Sequence, residues 1–109
     1  MINTPLWQPN DLQAATSNMV RFMREASHRW GIDIRDYDTL HRWSVDYREE
    51  FWTTVWDICG VRAATRGKVT LRNGDAMPGA EWFPEARLNF AENLLRAEGS
   101  EAAIIFWGE

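Results

Sequence analysis

Three residues with the chemistry of a hydrolase triad, His41, Ser44 and Asp46, lie in one short segment of the chain. A base, a hydroxyl nucleophile and a carboxylate can together cleave an acyl bond when the base lies in line between the other two groups. Residues this close on one short helix rarely reach that alignment, because their side chains leave the helix in different directions. We therefore expect no catalytic residue in this chain.

The candidate metal ligands are His28, His41, Cys59 and the carboxylates, and no pair of them has a recognised ligand spacing. The periodicity of the first helix places His28 on its polar face, where we expect an exposed side chain. Cys59 falls on an apolar helical face, which favours an inert buried thiol over a reactive one. The sequence therefore predicts no metal site.

A phosphate-binding loop needs closely spaced glycines, so that backbone N–H groups can approach the anion. The seven glycines of the chain lie at least five positions apart, and the sequence contains no such loop. Four arginines between positions 21 and 35 form a mildly basic stretch, but Glu25 and Asp33 interrupt it. We interpret that stretch as a solvated surface and expect no cofactor-binding residue.

The charge balance and the apolar content describe a folded domain. The chain has 109 residues, 12 basic against 16 acidic, a net charge of −4 and 45% hydrophobic residues. This balance is typical of a globular domain and gives no electrostatic footprint for nucleic acid. The single cysteine excludes an internal disulfide and suits the cytoplasm. The abundance of arginine over one lysine, Lys68, hints at a bacterial genome rich in G and C.

Two further features argue against secretion and membrane insertion. The N-terminal residues 1–7 contain neither the basic nor the apolar region of a signal peptide. The longest apolar run has six residues, far fewer than the ~20 that a membrane span needs. We expect a soluble cytoplasmic protein without a membrane or nucleic-acid partner.

Apolar residues at helical spacing predict the first element. A helix begins after Asn10 as N-cap and ends before Gly31, and the polar residues 16–18 can break it into two pieces. Its apolar face comprises Leu12, Ala15, Met19, Phe22, Met23, Ala26 and Trp30.

Two more helices are predicted before residue 60. One spans residues 37–44 after Asp36, and the next begins at Asp46, forms a capping box with Glu49 and ends before Gly60. The apolar face of the latter spans about 160°, which implies contact with two partners. It comprises Phe51, Trp52, Val55, Trp56, Ile58 and Cys59. We predict that Trp52 and Trp56 are buried there.

The second half of the chain is less regular. We expect a short strand at residues 68–71, a turn at Asn73-Gly74, and a helix from Asn89, with Glu92 three residues on, to about Ala97. The apolar run that follows reads as a fully buried strand of an α/β sheet. Its residues are Ala102, Ala103, Ile104, Ile105, Phe106 and Trp107.

A buried strand needs neighbours that the sequence does not supply. We therefore expect the front end of a longer protein, with a mainly α fold: a small helical cap domain at residues 1–98, with short irregular or β segments, and the first strand of a truncated α/β domain at 99–109. Without that sheet, we expect residues 102–107 either to associate between copies or to form a frayed tail. The seven tryptophans are buried in a small core or mark an interface.

Several motifs together resemble the N-terminal segment of the acetoacetyl-coenzyme A synthetases, within the acyl-adenylate-forming ligases. The order and spacing agree over nearly the whole chain, and the block at 82–95 is the most specific part. The motifs are Trp7, Tyr-Asp-Thr-Leu-His-Arg-Trp-Ser-Val at 37–45, Phe51-Trp52, Val55-Trp56, Trp-Phe-Pro-Glu-Ala-Arg-Leu-Asn-Phe-Ala-Glu-Asn-Leu-Leu at 82–95, and the Ala-Ile-Ile-Phe run.

The resemblance implies a parent ligase that uses ATP and Mg²⁺ to convert a carboxylate to an acyl-adenylate and then transfers the acyl group to coenzyme A. It also implies that the phosphate loop, the ribose-binding Asp and the catalytic Lys lie downstream. No residue here matches them, Lys68 included. The partner implied for this segment is the rest of its own ligase chain.

One position departs from the pattern that the resemblance implies. Glu85 stands where a glycine is expected, so either Glu85 is strained at a positive φ or the turn is built differently.

A separate hypothesis is a free-standing helical module whose tryptophan-rich faces bind a protein partner. The continuation of the reading frame discriminates between the ligase and the module.

Overall fold

Helices form most of the regular structure in the computed structural model, which describes residues 4–109. The chain divides into two compact units, Met1–Gly60 and Val61–Glu109. The argument against a signal peptide used residues 1–7, of which residues 1–3 lie outside the described residues. Among the described residues, no helix combines the length and the apolar character that crossing a membrane requires. The prediction of a mainly α fold is confirmed.

Four helices make up the first unit: α1 (Asp11–Ala15), α2 (Asn18–Trp30), α3 (Tyr37–Asp46) and α4 (Arg48–Ile58). The break at residues 16–18 occurs because Ser17 adopts an extended conformation and its side chain accepts a hydrogen bond from the Val20 N–H. Gly31 ends α2 in the left-handed region, with φ of 64°. The predicted Asn10 cap is also confirmed, since its side chain accepts from the Gln13 N–H at 2.8 Å.

The predicted Asp36 cap of α3 is confirmed as well. The Asp36 carboxylate accepts the Thr39 N–H at 2.8 Å, and the Thr39 hydroxyl accepts the Asp36 N–H at 3.2 Å. The first of these bonds is the main cause that lowers the pKa of Asp36 from its ordinary value. A short polar side chain before a helix therefore sets this boundary locally.

The predicted Asp46–Glu49 capping box is wrong. Asp46 is the last residue of α3, and the N-cap of α4 is Tyr47, which makes no side-chain cap hydrogen bond. The junction is so short that the Tyr47 N–H still closes α3 on the Trp43 carbonyl, while the Tyr47 carbonyl opens α4. No residue is left over there to act as a polar cap.

The core of the first unit lies among α2, α3 and the segment that joins them. Its buried apolar members are Met23, Ala26, Ile34, Leu40 and Trp43. Phe51 of α4 packs against this cluster, and its ring meets those of Phe22 and Trp43 edge to face, each at 5.8 Å between centroids. The helical unit is thus closed by interlocking aromatic rings.

The second unit contains a two-stranded antiparallel hairpin and one short helix. Strand β1 (Leu71–Arg72) pairs with β2 (Glu81–Trp82), with Leu71 opposite Trp82, and α5 spans Phe90–Leu94. The Asn73-Gly74 turn follows β1, and Asn73 takes the left-handed conformation that asparagine tolerates. None of residues 61–109, all of which the structure describes, is buried.

Two predicted boundaries and one predicted strand in this unit need correction. The strand begins at Leu71 rather than at residue 68, and α5 ends at Leu94 rather than near Ala97. Residues 102–107 form no strand and their side chains are exposed. A strand requires a hydrogen-bonding neighbour, and nothing in residues 4–109 pairs with this run.

Candidate functional site

The structure does not assemble the three residues considered for a triad. The Ser44 hydroxyl donates to the backbone carbonyl of His41 at 2.7 Å, and the His41 ring stacks on Tyr37. His28 is exposed, as predicted. Within residues 4–109, no three His, Cys, Asp or Glu side chains cluster closely enough to hold a metal ion. The absence of catalytic, cofactor-binding and metal-binding residues stays a prediction.

An apolar groove of about 370 Å³ lies between α2, α3 and α4. Phe22, Leu40 and Phe51 form its apolar part, and Cys59 lines it at the end of α4. The prediction that Cys59 is buried is wrong, because this thiol is exposed at the last turn of the helix. The first unit therefore presents an open, weakly polar concavity rather than a closed pocket.

The side of α4 that faces the protein matches the predicted apolar face only in part: it includes Phe51, which packs against the core, but not Trp52. Trp52 is 42% exposed and Trp56 is half-buried, so the prediction that both are buried is wrong. Thr54, which lies outside the predicted apolar face, is 0% exposed. The Trp30 indole N–H donates to the Thr54 hydroxyl at 2.8 Å, and that hydroxyl donates to the Glu50 carbonyl at 2.7 Å. Because both partners are satisfied, this threonine can be buried at little cost.

Glu85 organises the irregular loop of the second unit. Its carboxylate accepts the Lys68 N–H at 2.6 Å and the Val69 N–H at 3.4 Å. These bonds, that from Lys68 first, lower the pKa of Glu85 from its ordinary value. Gly67 has a φ of 79°, and a Cβ at that position would collide with the Glu85 side chain. Gly67 and Glu85 therefore depend on each other.

The turn around Glu85 is built differently from the glycine pattern, and Glu85 is not strained. Among the described non-glycine residues, Asn73 and Phe83 have positive φ, and Phe83 takes a φ of 45°. The Arg66 guanidinium lies over the Phe83 ring at 5.6 Å. A side-chain carboxylate thus holds the loop in a backbone arrangement that leaves residue 85 relaxed.

A second polar contact fixes α5. The Asn93 side chain accepts the Arg62 N–H at 2.8 Å and donates to the Arg62 carbonyl at 2.7 Å. The Arg96 guanidinium donates to the same Asn93 side chain at 2.8 Å. Residues 62 and 93 are too far apart in sequence for a local pattern to reveal this pair, so sequence reasoning missed it.

Large apolar side chains of the second unit are exposed to solvent. They are Met77, Trp82, Leu88, Phe90, Leu94, Leu95, Ile104, Ile105, Phe106 and Trp107. Exposed apolar residues in such number are unusual for a folded domain, and large exposed apolar patches mark interaction surfaces. The geometry therefore describes a polar framework that presents apolar surface, without a cluster of reactive groups.

The family of this chain follows from residues 37–94. They match the family model described as "Acetyl-coenzyme A synthetase N-terminus", over more than half of the chain. The match contains α3, α4, the hairpin, Glu85 and the Asn93 contact, and it ends with α5. The chain belongs to this family of ligase N-terminal domains.

Individual relatives narrow the similarity to one group. An acetoacetyl-coenzyme A synthetase from Rhizobium meliloti is 49% identical over 96% of this chain. A malonamoyl-CoA synthetase from Penicillium aethiopicum is 40% identical over 73% of it. The solved structure of acetoacetyl-CoA synthetase from Streptomyces lividans superposes with a TM-score of 0.77, at 41% identity over 85% of this chain.

This chain spans a small part of each relative. It corresponds to 16% of the Rhizobium enzyme, 11% of the Penicillium enzyme and 14% of the Streptomyces chain. Most of each relative therefore lies outside the region of similarity. The comparisons support the N-terminal domain of such a ligase, and nothing in them favours a free-standing interaction module.

Proposed function

We propose that this chain serves, without catalytic residues of its own, as the N-terminal domain of an acetoacetate–coenzyme A ligase. The parent ligase would convert acetoacetate and ATP to an acyl-adenylate, release pyrophosphate and form acetoacetyl-coenzyme A and AMP. The similarity to two acetoacetyl-CoA synthetases supports this substrate, because both cover most of this chain at above 40% identity.

The single observation that carries the proposal is the uncovered second unit. Residues 61–109 have no buried side chain, yet they expose ten large apolar residues. A unit of that size with no core of its own lacks the burial that normally offsets chain entropy. We infer that the rest of the ligase chain supplies the missing cover, as the partial overlap with its relatives suggests.

The parent cofactors are ATP, Mg²⁺ and coenzyme A, and the described residues do not fit them. Residues 4–109 contain no cluster of metal ligands, and the glycines are too widely spaced to form a phosphate cradle. We infer that the residues of this chain carry no step of the reaction. Its contribution is to stabilise the body that does the chemistry.

Three further predictions remain proposals of the same kind. The cap domain would end near residue 98, and residues 99–109 would begin the adenylate-forming domain. Residues 102–107 would pair between copies of the chain whenever the remaining sheet is missing, since an unpaired apolar strand seeks a partner. The protein would act in the cytoplasm.

A chimera tests the proposed function. Residues 4–109 replace the similar segment of the Rhizobium enzyme, and pyrophosphate release is measured with acetoacetate, ATP, Mg²⁺ and coenzyme A. We expect the isolated chain to be inactive and the chimera to approach the activity of the Rhizobium parent. The matched control is the Rhizobium enzyme with that segment deleted, which we expect to be inactive or unstable.

The outcome that would contradict the proposal is equally direct. A correctly folded chimera that turns over no acetoacetate would show that this segment does not belong to such a ligase. Turnover by the isolated chain would show that catalytic residues were overlooked in residues 4–109. Full activity of the deleted control would show that the segment contributes nothing to the ligase.

A further inference from the structure

The short helix α5 carries a compact apolar face. Phe90 and Leu94 lie one turn apart on the same side, with 77% and 66% of their surface exposed. Leu88 and Leu95 flank the helix and are also exposed. We call these four residues the α5 face.

Polar bonds on other sides of the helix hold it in place. The Asn89 side chain caps α5 by accepting the Glu92 N–H at 3.1 Å. Asn93 binds both backbone groups of Arg62 at 2.8 and 2.7 Å, and also donates to the Asn89 carbonyl at 2.9 Å. The helix is therefore fixed to the preceding loop without using its apolar side chains.

Because polar bonds fix the helix, α5 differs from the other exposed apolar groups of the second unit. Residues 102–107 are exposed too, but they have no regular structure to present them as a face. A helix that is already oriented loses little further freedom when its apolar side is covered. The α5 face is thus the best-ordered apolar surface in residues 61–109.

We propose that the α5 face is the surface through which the second unit docks on the remaining part of the ligase chain. This inference rests on the proposed function and names the contact that it requires. The length of the relatives identifies the occupant. This chain covers only 14–16% of the length of the acetoacetyl-CoA synthetases, which extend far beyond the region of similarity. The role of Asn93 is to position α5 for that contact.

Limited proteolysis of the chimera tests the contact. Trypsin can cleave after Arg96, two residues beyond α5, and we expect this cleavage to be slow while the α5 face is docked on the ligase body. We expect the double substitution Phe90→Ser with Leu94→Ser to raise the rate of that cleavage at least about tenfold. The matched control is Met77→Ser, an exposed apolar residue of the same unit that lies outside the α5 face, and we expect no change from it.

The isolated 109-residue chain supplies the folding control. Because Phe90 and Leu94 are exposed there, the double variant should be cleaved at the same rate as the unchanged chain. Equal cleavage of the double variant and the unchanged chimera would overturn the inference. So would self-association of the isolated chain that the double variant abolishes while the chimera is unaffected, since a second copy would then cover the face.

The two proposals fail in distinguishable ways. An inactive chimera whose Arg96 site is protected by the α5 face would contradict the ligase activity and keep the docking contact. An active chimera that is indifferent to the double substitution would keep the ligase activity and remove the contact.

Discussion

In Met1–Gly60, five apolar side chains pack into one core and aromatic rings close it, whereas in Val61–Glu109 no side chain is buried and polar contacts set the geometry. The hydrogen bonds of Glu85 and Asn93 hold the second unit together, as the packing of Trp43 and its neighbours holds the first. Hydrogen bonds exposed to water contribute less to stability than apolar burial does, because water competes for the same groups.

The difference indicates two kinds of dependence on the rest of the protein. The first unit has the interior contacts of an independently folded helical domain, although the Trp52 side chain is partly exposed to solvent. The second has a defined backbone arrangement but little burial to stabilise it. A chain built this way is expected to fold from its helical part and to complete the remainder against a partner.

The largest expected effect is the loss of the core tryptophan. Trp43 is 7% exposed and packs against Phe51, so Trp43→Ala should lower the free energy of unfolding by about 3–5 kcal/mol. Urea denaturation of the helical signal measures it. The control Trp107→Ala, at a residue 89% exposed, should change it by less than about 0.5 kcal/mol. Equal losses of unfolding free energy in the two variants would contradict the claim that only the first unit has a buried core.

A smaller effect is expected from the polar contact inside the first unit. Trp30→Phe removes the N–H that binds the buried Thr54 hydroxyl and should cost about 1–2 kcal/mol. Trp7→Phe, at an exposed indole, is the matched control. If the two substitutions have the same effect in thermal unfolding, the Trp30–Thr54 bond contributes nothing measurable.

The local caps were predictable and the distant pairs were not. Asn10, Asp36 and Asn89 were identified because a cap is decided within four residues of the chain. The burial of Thr54 depends on an indole 24 residues away, and the role of Glu85 depends on N–H groups 17 and 16 residues away. Composition and periodicity contain no information on such pairs.

The fate of the apolar residues shows the same limit. The period of α4 correctly predicts a helix, but the exposure of Trp52 and Cys59 depends on which neighbours surround it. Likewise, the apolar composition of residues 102–107 indicates a strand, whereas strand structure requires a pairing partner that lies outside the sequence of the element itself.

The smallest expected effect concerns the pH dependence of the second unit. The Lys68 N–H keeps the pKa of Glu85 below its ordinary value, so the folded loop favours the charged carboxylate. That contribution is present above the ordinary glutamate pKa and is lost as the pH falls through the lower folded value. Stability of the loop therefore decreases on acidification.

Titration of the Lys68 amide proton by NMR between about pH 6 and 2 measures this change. The midpoint should lie below 4.5, the ordinary glutamate value. Glu85→Gln is the matched variant, because it keeps the side-chain size and removes the titrating group, and it should abolish the transition. A midpoint at or above the ordinary value would show that the Lys68–Glu85 bond does not persist in solution.

Amide hydrogen exchange tests the central claim most directly, when the isolated chain is compared with the chimera. In the isolated chain, we predict that the amides of α2–α4 are well protected and that those of α5 and the hairpin exchange far more rapidly. In the chimera, the α5 amides should slow by at least about tenfold as the ligase body covers them. Equal protection of the α5 amides in the isolated chain and in the chimera would contradict the account, because the second unit would then need no partner.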